Sequence, residues 1–333
     1  MTVRKNKFKY LSNNRLLFIA NLVLLLIIFL LSFLLLKNYK ENNKDIITRD
    51  KGGDFKLINP ILDCEESSQD ANSIVPYYKI SHEVNNLKYK YKVNNVSLYF
   101  RDLNNGPWVG INEKAVFSPA SLLKTPVVMA LFKYAEDNPD ILKKKVLISK
   151  SDIQKDINQN IAFSNTLEGE NYYTFNQIAE SVIQKSDNVG VGVILENIPI
   201  KKVEEVFYSI GVPYKDIYTE VELRVKDYAG FFRVLYNASY LNREMSEKLL
   251  EMLSKSEYRD GLVSGVPSDI LVAHKFGERV IDDARQLHDC GIIYHPTNPY
   301  ILCVMTKGDN FNNQELLISE LSNYIYKEVD NNK

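Results

Sequence analysis

Ser121 and Lys124 are the residues whose types and spacing most directly suggest covalent chemistry. A serine hydroxyl is a weak nucleophile at its ordinary pKa and needs an adjacent base. A lysine shielded from bulk water, with its pKa depressed, can supply one. Three residues apart on a helix, two side chains share a face. The stretch Phe117-Ser118-Pro119-Ala120-Ser121-Leu122-Leu123-Lys124-Thr125 reads as the start of such a helix, with Ser118 suited to the N-cap and Pro119 to the first helical position. Ser121 then falls in the first turn, among unpaired N–H groups at the positive end of the helix dipole. Pro126 costs a hydrogen bond with Leu122 and predicts a kink beside the nucleophile. An isolated S-x-x-K is common by chance, and its bland reading is an ordinary helix start with a solvated lysine.

The elements that must position this pair follow from periodicity. Ile80, Val84 and Leu87 predict a helix over 77–90. Residues 96–100 and 108–111 read as a hairpin around Asn104-Asn105-Gly106, leading into the Ser121 helix. Val127, Val128, Ala130, Leu131 and Phe132 make that helix apolar on most sides, as expected of one buried in a domain centre. Residues 140–170 read as polar helix or loop. Thr174 and Gln177 form a capping-box start to a helix that ends at Lys185-Ser186-Asp187-Asn188. Further helices are expected over 189–195, 203–210, 227–236 and 246–253. Strands are expected over 270–277, 290–294 and 300–305, followed by an amphipathic closing helix. This order predicts an α/β protein of the α+β type. A five-stranded antiparallel sheet, flanked by helices, joins N- and C-terminal strands around an inserted helical subdomain. The cleft is expected between the sheet and that helical block.

The chain has 333 residues and 45% hydrophobic content, enough for a large core. Lys+Arg 41 against Asp+Glu 42 offers no electrostatic reason to expect nucleic acid. Residues 1–15 read as a cytoplasmic basic tail, with Arg4, Lys5, Lys7, Lys9 and Arg15 and no acid. Residues 16–36 are apolar except for Asn21 and Ser32, and about 31 Å of helix would cross a bilayer. Lys37-Asn38-Tyr39-Lys40 offers no small-residue cleavage site, so a retained anchor in the cell membrane is expected, with the remainder outside. Residues 37–75 read as a tether whose apolar stretch 55–62 docks as a short arm; residues 76–330 form the domain. The four histidines and three cysteines match no metal pattern, and neither metal nor cofactor is expected. Cys290 and Cys303 flank a hairpin turn and could pair, with buried free thiols as the default. A monomer is expected.

Ser121-Leu122-Leu123-Lys124, Ser186-Asp187-Asn188 and Lys275-Phe276-Gly277 stand in the order of the S-x-x-K, S-D-N and K-T-G motifs. Over roughly residues 85 to 330 the chain resembles the class A β-lactamase-like serine hydrolases, which share their fold with penicillin-binding proteins. The spacing from Ser121 to Ser186, about 65 residues, is similar to the family's. The resemblance implies that Ser121 attacks a carbonyl and that Lys124 takes its proton, directly or through water. Ser186 would pass a proton to the departing nitrogen, and Asn188 would hold the substrate's amide side chain. Lys275 would attract a substrate carboxylate, and Gly277 would let the strand edge approach closely. The backbone N–H groups of Ser121 and Glu278 would form the oxyanion hole.

Two departures alter what the resemblance implies. Phe276 replaces the threonine of K-T-G and has no donor, so carboxylate recognition is expected to weaken, to reroute to Arg279 or Lys275, or to give way to another substrate that the ring selects. The interval from Ser186 to Lys275, about 89 residues, is shorter than the family's by roughly one loop, the omega loop that carries the deacylating glutamate. Glu220-Val221-Glu222-Leu223-Arg224 resembles that loop's E-x-x-L-N, with Arg224 in place of the asparagine. Glu220 is the candidate deacylation base and Glu222 a lesser one. The expected activity is hydrolysis of β-lactams or D-alanyl cell-wall peptides through an acyl-serine intermediate. The alternatives are a penicillin-binding D,D-peptidase with slow deacylation, a non-hydrolytic sensor on the same fold, and an esterase.

Overall fold

The computed structural model describes residues 48–49, 55–63, 73–154, 160–161, 163, 166–212 and 221–332, together with residues 21, 22, 24–26, 29, 30 and 32. Residues 1–46 and 47–333 are separate units. In the first, the described residues are helical. No helix among the described residues is long and apolar enough to cross a membrane, and most of the expected anchor, 16–36, lies outside them.

Among the described residues the second unit carries the strands Thr48–Arg49 (β1), Ile61–Asp63 (β2), Asn95–Asp102 (β3), Trp108–Ile111 (β4), Val116–Phe117 (β5), Lys145–Ile148 (β6), Asn171–Thr174 (β7), Leu223–Arg224 (β8), Val272–Ile281 (β9), Ala284–Ile293 (β10) and Tyr300–Gly308 (β11). Its α-helices are Tyr77–Lys90 (α1), Lys124–Asp137 (α2), Lys150–Gln154 (α3), Phe175–Gln184 (α4), Asn188–Asn197 (α5), Ile200–Ser209 (α6), Val225–Tyr236 (α7), Arg243–Ser254 (α8) and Phe311–Asn331 (α9). The main sheet is antiparallel, in the order β4-β3-β11-β10-β9, so β9 is an edge. Because side chains alternate along a strand, the sheet feeds two cores. Tyr99, Ala273, Ile292, Ile301 and Met305 join the cluster that contains α2, α4 and α7. Leu98, Phe100, Phe276, Leu287 and Leu302 face α1 and α9 in the other.

Helix α2 is buried on nearly every side and packs against α4, α5, α6 and α8, which fixes its N-terminus at the edge of β9. The helix at 175–184 starts on the capping box its sequence encodes: Gln177 N donates to Thr174 Oγ1 at 3.2 Å, and Thr174 N to Gln177 Oε1 at 2.9 Å. Residues 55–60 lie along the body of this unit. Lys56, Leu57 and Ile58 donate their N–H groups to the Glu247 carboxylate at 2.7 to 3.0 Å, and Tyr294 donates its hydroxyl to Leu57 O at 3.0 Å.

Three local expectations are corrected. Residues 140–170 are not wholly helix and loop: β6 and β7 pair as a two-stranded ribbon. Its strands are short and largely solvent-facing, so they carry little alternating hydrophobicity. Ser118 is not a helix cap. The chain makes a 3-10 turn over Ala120–Leu123 before α2, and Pro126 falls in the first turn of α2, where a missing N–H costs little. Cys290 and Cys303 are not free thiols either, since they sit directly opposite in the β10–β11 register and form a disulfide.

Candidate active site

The 3-10 turn puts Ser121 one step outside α2 and Lys124 on its first residue. Lys124 is 4% exposed, and its Nζ lies 3.0 Å from Ser121 Oγ. The same Nζ lies 3.0 Å from Ser186 Oγ and donates to the Ser186 carbonyl oxygen. Lys275, fully buried on β9, donates to Ser186 Oγ at 3.0 Å and to Phe276 O at 2.9 Å. Side chains from two helix starts and one strand edge therefore converge on one pair of hydroxyls. Burial pushes Lys275 well below the usual lysine range, and the neighbouring Lys124 adds to the shift.

Ser186 occupies the left-handed region, with φ 57°, as does Ala120, beside Ser121, with φ 50°. Non-glycine residues hold that conformation only when the surroundings impose it. At Ser186 the restraint is Asp187, buried at the N-cap of α5. Its carboxylate accepts from Gly190 N at 2.9 Å, Leu167 N at 2.9 Å and Ser181 Oγ at 3.1 Å. Asn188 follows as the first residue of α5 and is half-buried.

On the opposite wall, Gly277 meets the turn that carries Ser121. A Cβ there would lie 2.8 Å from Pro119 O and 2.9 Å from Leu122 N, too close for any side chain. This contact holds the β9 edge, including the Glu278 backbone, against the turn that carries Ser121. Phe276 points to the other face. It is 1% exposed, stacked on Tyr258 with ring centroids 4.2 Å apart, in the core shared with α9. Its ring is packed inside the protein, which differs from the substrate contact expected of it.

A bracket around Ser118 has no counterpart in the sequence reading. Ser118 N donates to Gln286 Oε1 at 3.1 Å, and Arg279 Nη1 donates to Ser118 Oγ at 3.1 Å. His288 Nε2 donates to Ser118 O at 2.9 Å, while its Nδ1 accepts from Thr306 N at 3.2 Å, an arrangement that requires the neutral ring. Burial accordingly holds His288 down at about 4. Tyr228 donates its hydroxyl to Leu122 O at 3.0 Å, on the other side of Ser121. Nothing local in the sequence signals these partners, which stand more than a hundred residues from the turn.

Of the deacylation candidates, Glu220 lies outside the described residues. Glu222 is exposed beside a recess of about 180 Å³ bounded by Val116, Phe207 and Val212. Arg224, where an asparagine was expected, is tied to Asp227 by bonds of 2.8 and 2.9 Å. Leu223 and Arg224 lie beside the strand that precedes the Ser121 turn, because β8 pairs with β5 and sets Leu223 opposite Phe117. No group of residues with metal-ligand character occurs among the described residues.

The geometry can be set beside known proteins. Residues 79–329 match the model of the beta-lactamase enzyme family. The chain belongs to that family. Among solved structures, it is similar to a point mutant of PBP-A in an acyl-enzyme complex with penicillin-G, at TM-score 0.65 and 19% identity, covering 78% of this chain and 99% of that one. It is also similar to the TLA-3 extended-spectrum β-lactamase, at TM-score 0.67 and 17% identity over 75% and 98% of the two chains. A β-lactamase from Sphaerobacter thermophilus DSM 20745 gives TM-score 0.67 and 17% identity over 77% and 98%. At these identities the likeness is one of fold. No curated protein matches the chain at the level of sequence. The family and the fold are those the three motifs imply: a β-lactamase-like serine hydrolase with a mixed architecture around a five-stranded antiparallel sheet.

Proposed function

We propose that this member of the β-lactamase family is a serine acyl-hydrolase that works through an acyl-enzyme on Ser121, with β-lactams or D-alanyl peptides of cell-wall type as its substrate class. The observation that carries the reading is the position of Lys124 Nζ, 3.0 Å from both Ser121 Oγ and Ser186 Oγ. In acylation Ser121 Oγ attacks the carbonyl carbon and its proton passes to Lys124 as the neutral amine. The negative charge on the carbonyl oxygen is met by the N–H groups of Ser121 and Glu278. Collapse breaks the carbon–nitrogen bond, and the nitrogen takes a proton through Ser186 from Lys124, which restores the amine. Lys275 holds the Ser186 hydroxyl in place, and Asn188 binds the substrate's amide arm. Water attack on the ester, with Glu220 as base, completes the cycle. Residues 16–36 anchor the chain in the cell membrane, with the catalytic unit outside.

Arg224 favours a second reading within the same chemistry. Its guanidinium is committed to Asp227, and a cation has no acceptor with which to hold a deacylating water as an amide does. The acyl-enzyme would then persist, as in a penicillin-binding protein. Intact mass against time, on the chain from about residue 50 mixed with a penicillin, decides between the two. A stable adduct absent from Ser121→Ala supports slow deacylation, whereas hydrolysed penicillin with little adduct supports a working base. Neither adduct nor turnover would remove β-lactams as substrates and leave the esterase or the sensor.

A further inference from the structure

Phe276 and Glu278 flank Gly277 on β9, and both grip the same distant segment. The Glu278 carboxylate accepts from Asn160 N at 2.6 Å, Ile161 N at 2.9 Å and Asn160 Nδ2 at 2.7 Å. Phe163 sets its ring edge-on to Phe276, with centroids 5.8 Å apart and planes at 74°. Phe276 is itself braced from behind by Tyr258. A few residues later the chain is tied to the other wall, where Leu167 N donates to Asp187 Oδ2 at 2.9 Å. These two attachment points belong to the walls that carry Lys275 and Ser186, which are bonded to each other at 3.0 Å. Four residues from Phe163 to Leu167 span at most about 14 Å. The two attachments therefore lie within a short length of chain of each other, one on each wall, and Asn160, Ile161 and Phe163 are held at the β9 edge by Glu278 and Phe276.

We infer that Phe276 and Glu278 are specificity-determining residues. They seat Asn160, Ile161 and Phe163 against the β9 edge as a third wall of the cleft, so that Ser121 is acylated more readily by small acyl donors than by donors with a bulky side chain. The inference rests on the acyl-serine reading above. It also gives the departure from K-T-G a physical role. A threonine at 276 would offer a hydroxyl to a substrate carboxylate, whereas Phe276 offers an apolar socket to Phe163. Glu278 adds charge-assisted bonds to two main-chain N–H groups, which are stronger than neutral ones and directional.

The test uses Glu278→Ala, Glu278→Gln and Asn160→Ala, each with its melting temperature measured. Adduct formation is timed with 6-aminopenicillanic acid, which has no acyl arm, and with penicillin G, which has a phenylacetyl arm. In Glu278→Ala the ratio of the penicillin G rate to the small-donor rate is expected to rise about tenfold, with smaller rises in Glu278→Gln and Asn160→Ala. Amide exchange at Asn160 and Ile161 in the ligand-free protein is expected to quicken by at least about tenfold in Glu278→Ala, which a role confined to the Glu278 backbone N–H would not produce. An unchanged ratio in folded variants that do form adducts overturns the inference, and so does unchanged exchange at 160–161. If the wild type forms an adduct with neither probe, the acyl-serine reading fails first and the selectivity fails with it, an outcome distinct from adducts at an unaltered ratio.

Discussion

Glu247 and Lys275 are both charged groups taken out of water, and the fold treats them in opposite ways. Glu247 is surrounded by donors: three successive N–H groups of the 55–60 arm meet its two oxygens in four bonds. Lys275 is placed against a second lysine, and the two converge on one serine hydroxyl. A buried charge that is fully hydrogen-bonded holds structure together, and its removal strands its partners. A buried charge beside a like charge is held away from its resting state, the condition that makes an amine able to take or give a proton near neutral pH. The first arrangement anchors the arm. The second sets two amines on the Ser186 hydroxyl, beside Ser121.

Substitution at each pole sharpens that contrast. The largest effect is expected for Lys124→Met, which should slow adduct formation on Ser121 by about a thousandfold. Its melting temperature is measured alongside, so that the loss in rate is read on folded protein. A loss in rate of less than about tenfold would mean that another group is the base. Next comes Glu247→Ala, expected to cost about 4 kcal/mol and to lower Tm by roughly 10 °C, while the folded fraction keeps its acylation rate. An unchanged melting temperature would show that the arm contributes nothing to stability.

The smallest effect concerns the bracket behind the nucleophile. His288 has a folded-state pKa of about 4, against 6.5 for a free imidazole, so the folded state binds fewer protons than the unfolded chain between those values. Its contribution is intact above pH 6.5 and is lost as the pH falls toward 4, by about 3 kcal/mol. Chemical denaturation from about pH 7 to about pH 4 should show this slope, flattened in His288→Gln. An equal slope in both proteins would show that His288 is protonated as easily in the fold as outside it.

How much of this was legible depended on how far each partner lies along the chain. The helix at 77–90 and the Thr174–Gln177 capping box rest on contacts within a few residues, so their patterns can be read directly. The five strands of the main sheet were legible in part, because each carries an apolar run; the expected strand 290–294 caught only the end of β10, whose first half, Ala284 to Asp289, is mostly polar. The ribbon of β6 and β7 was not, because Lys145-Val146-Leu147-Ile148 and Asn171-Tyr172-Tyr173-Thr174 do not alternate in hydrophobicity and their pairing is closed only by tertiary context. Phe276 shows the same limit from another side. Its departure from K-T-G was visible, but the direction of its ring was not, because which face of an edge strand is buried depends on what packs against it.

The sequence by itself determined the order of the three motifs and the spacing that makes Ser121 and Lys124 candidates for nucleophile and base, because residue types and their spacing are local properties of the chain. Only the tertiary structure decided that Ser186 and Lys275 meet at one hydroxyl, that Ser118 is bracketed by Arg279, Gln286 and His288, and that Phe276 and Glu278 hold Asn160, Ile161 and Phe163. A hydrogen bond between distant residues exists only where the packed core brings them within about 3 Å, and the removal of water there changes what those groups can do.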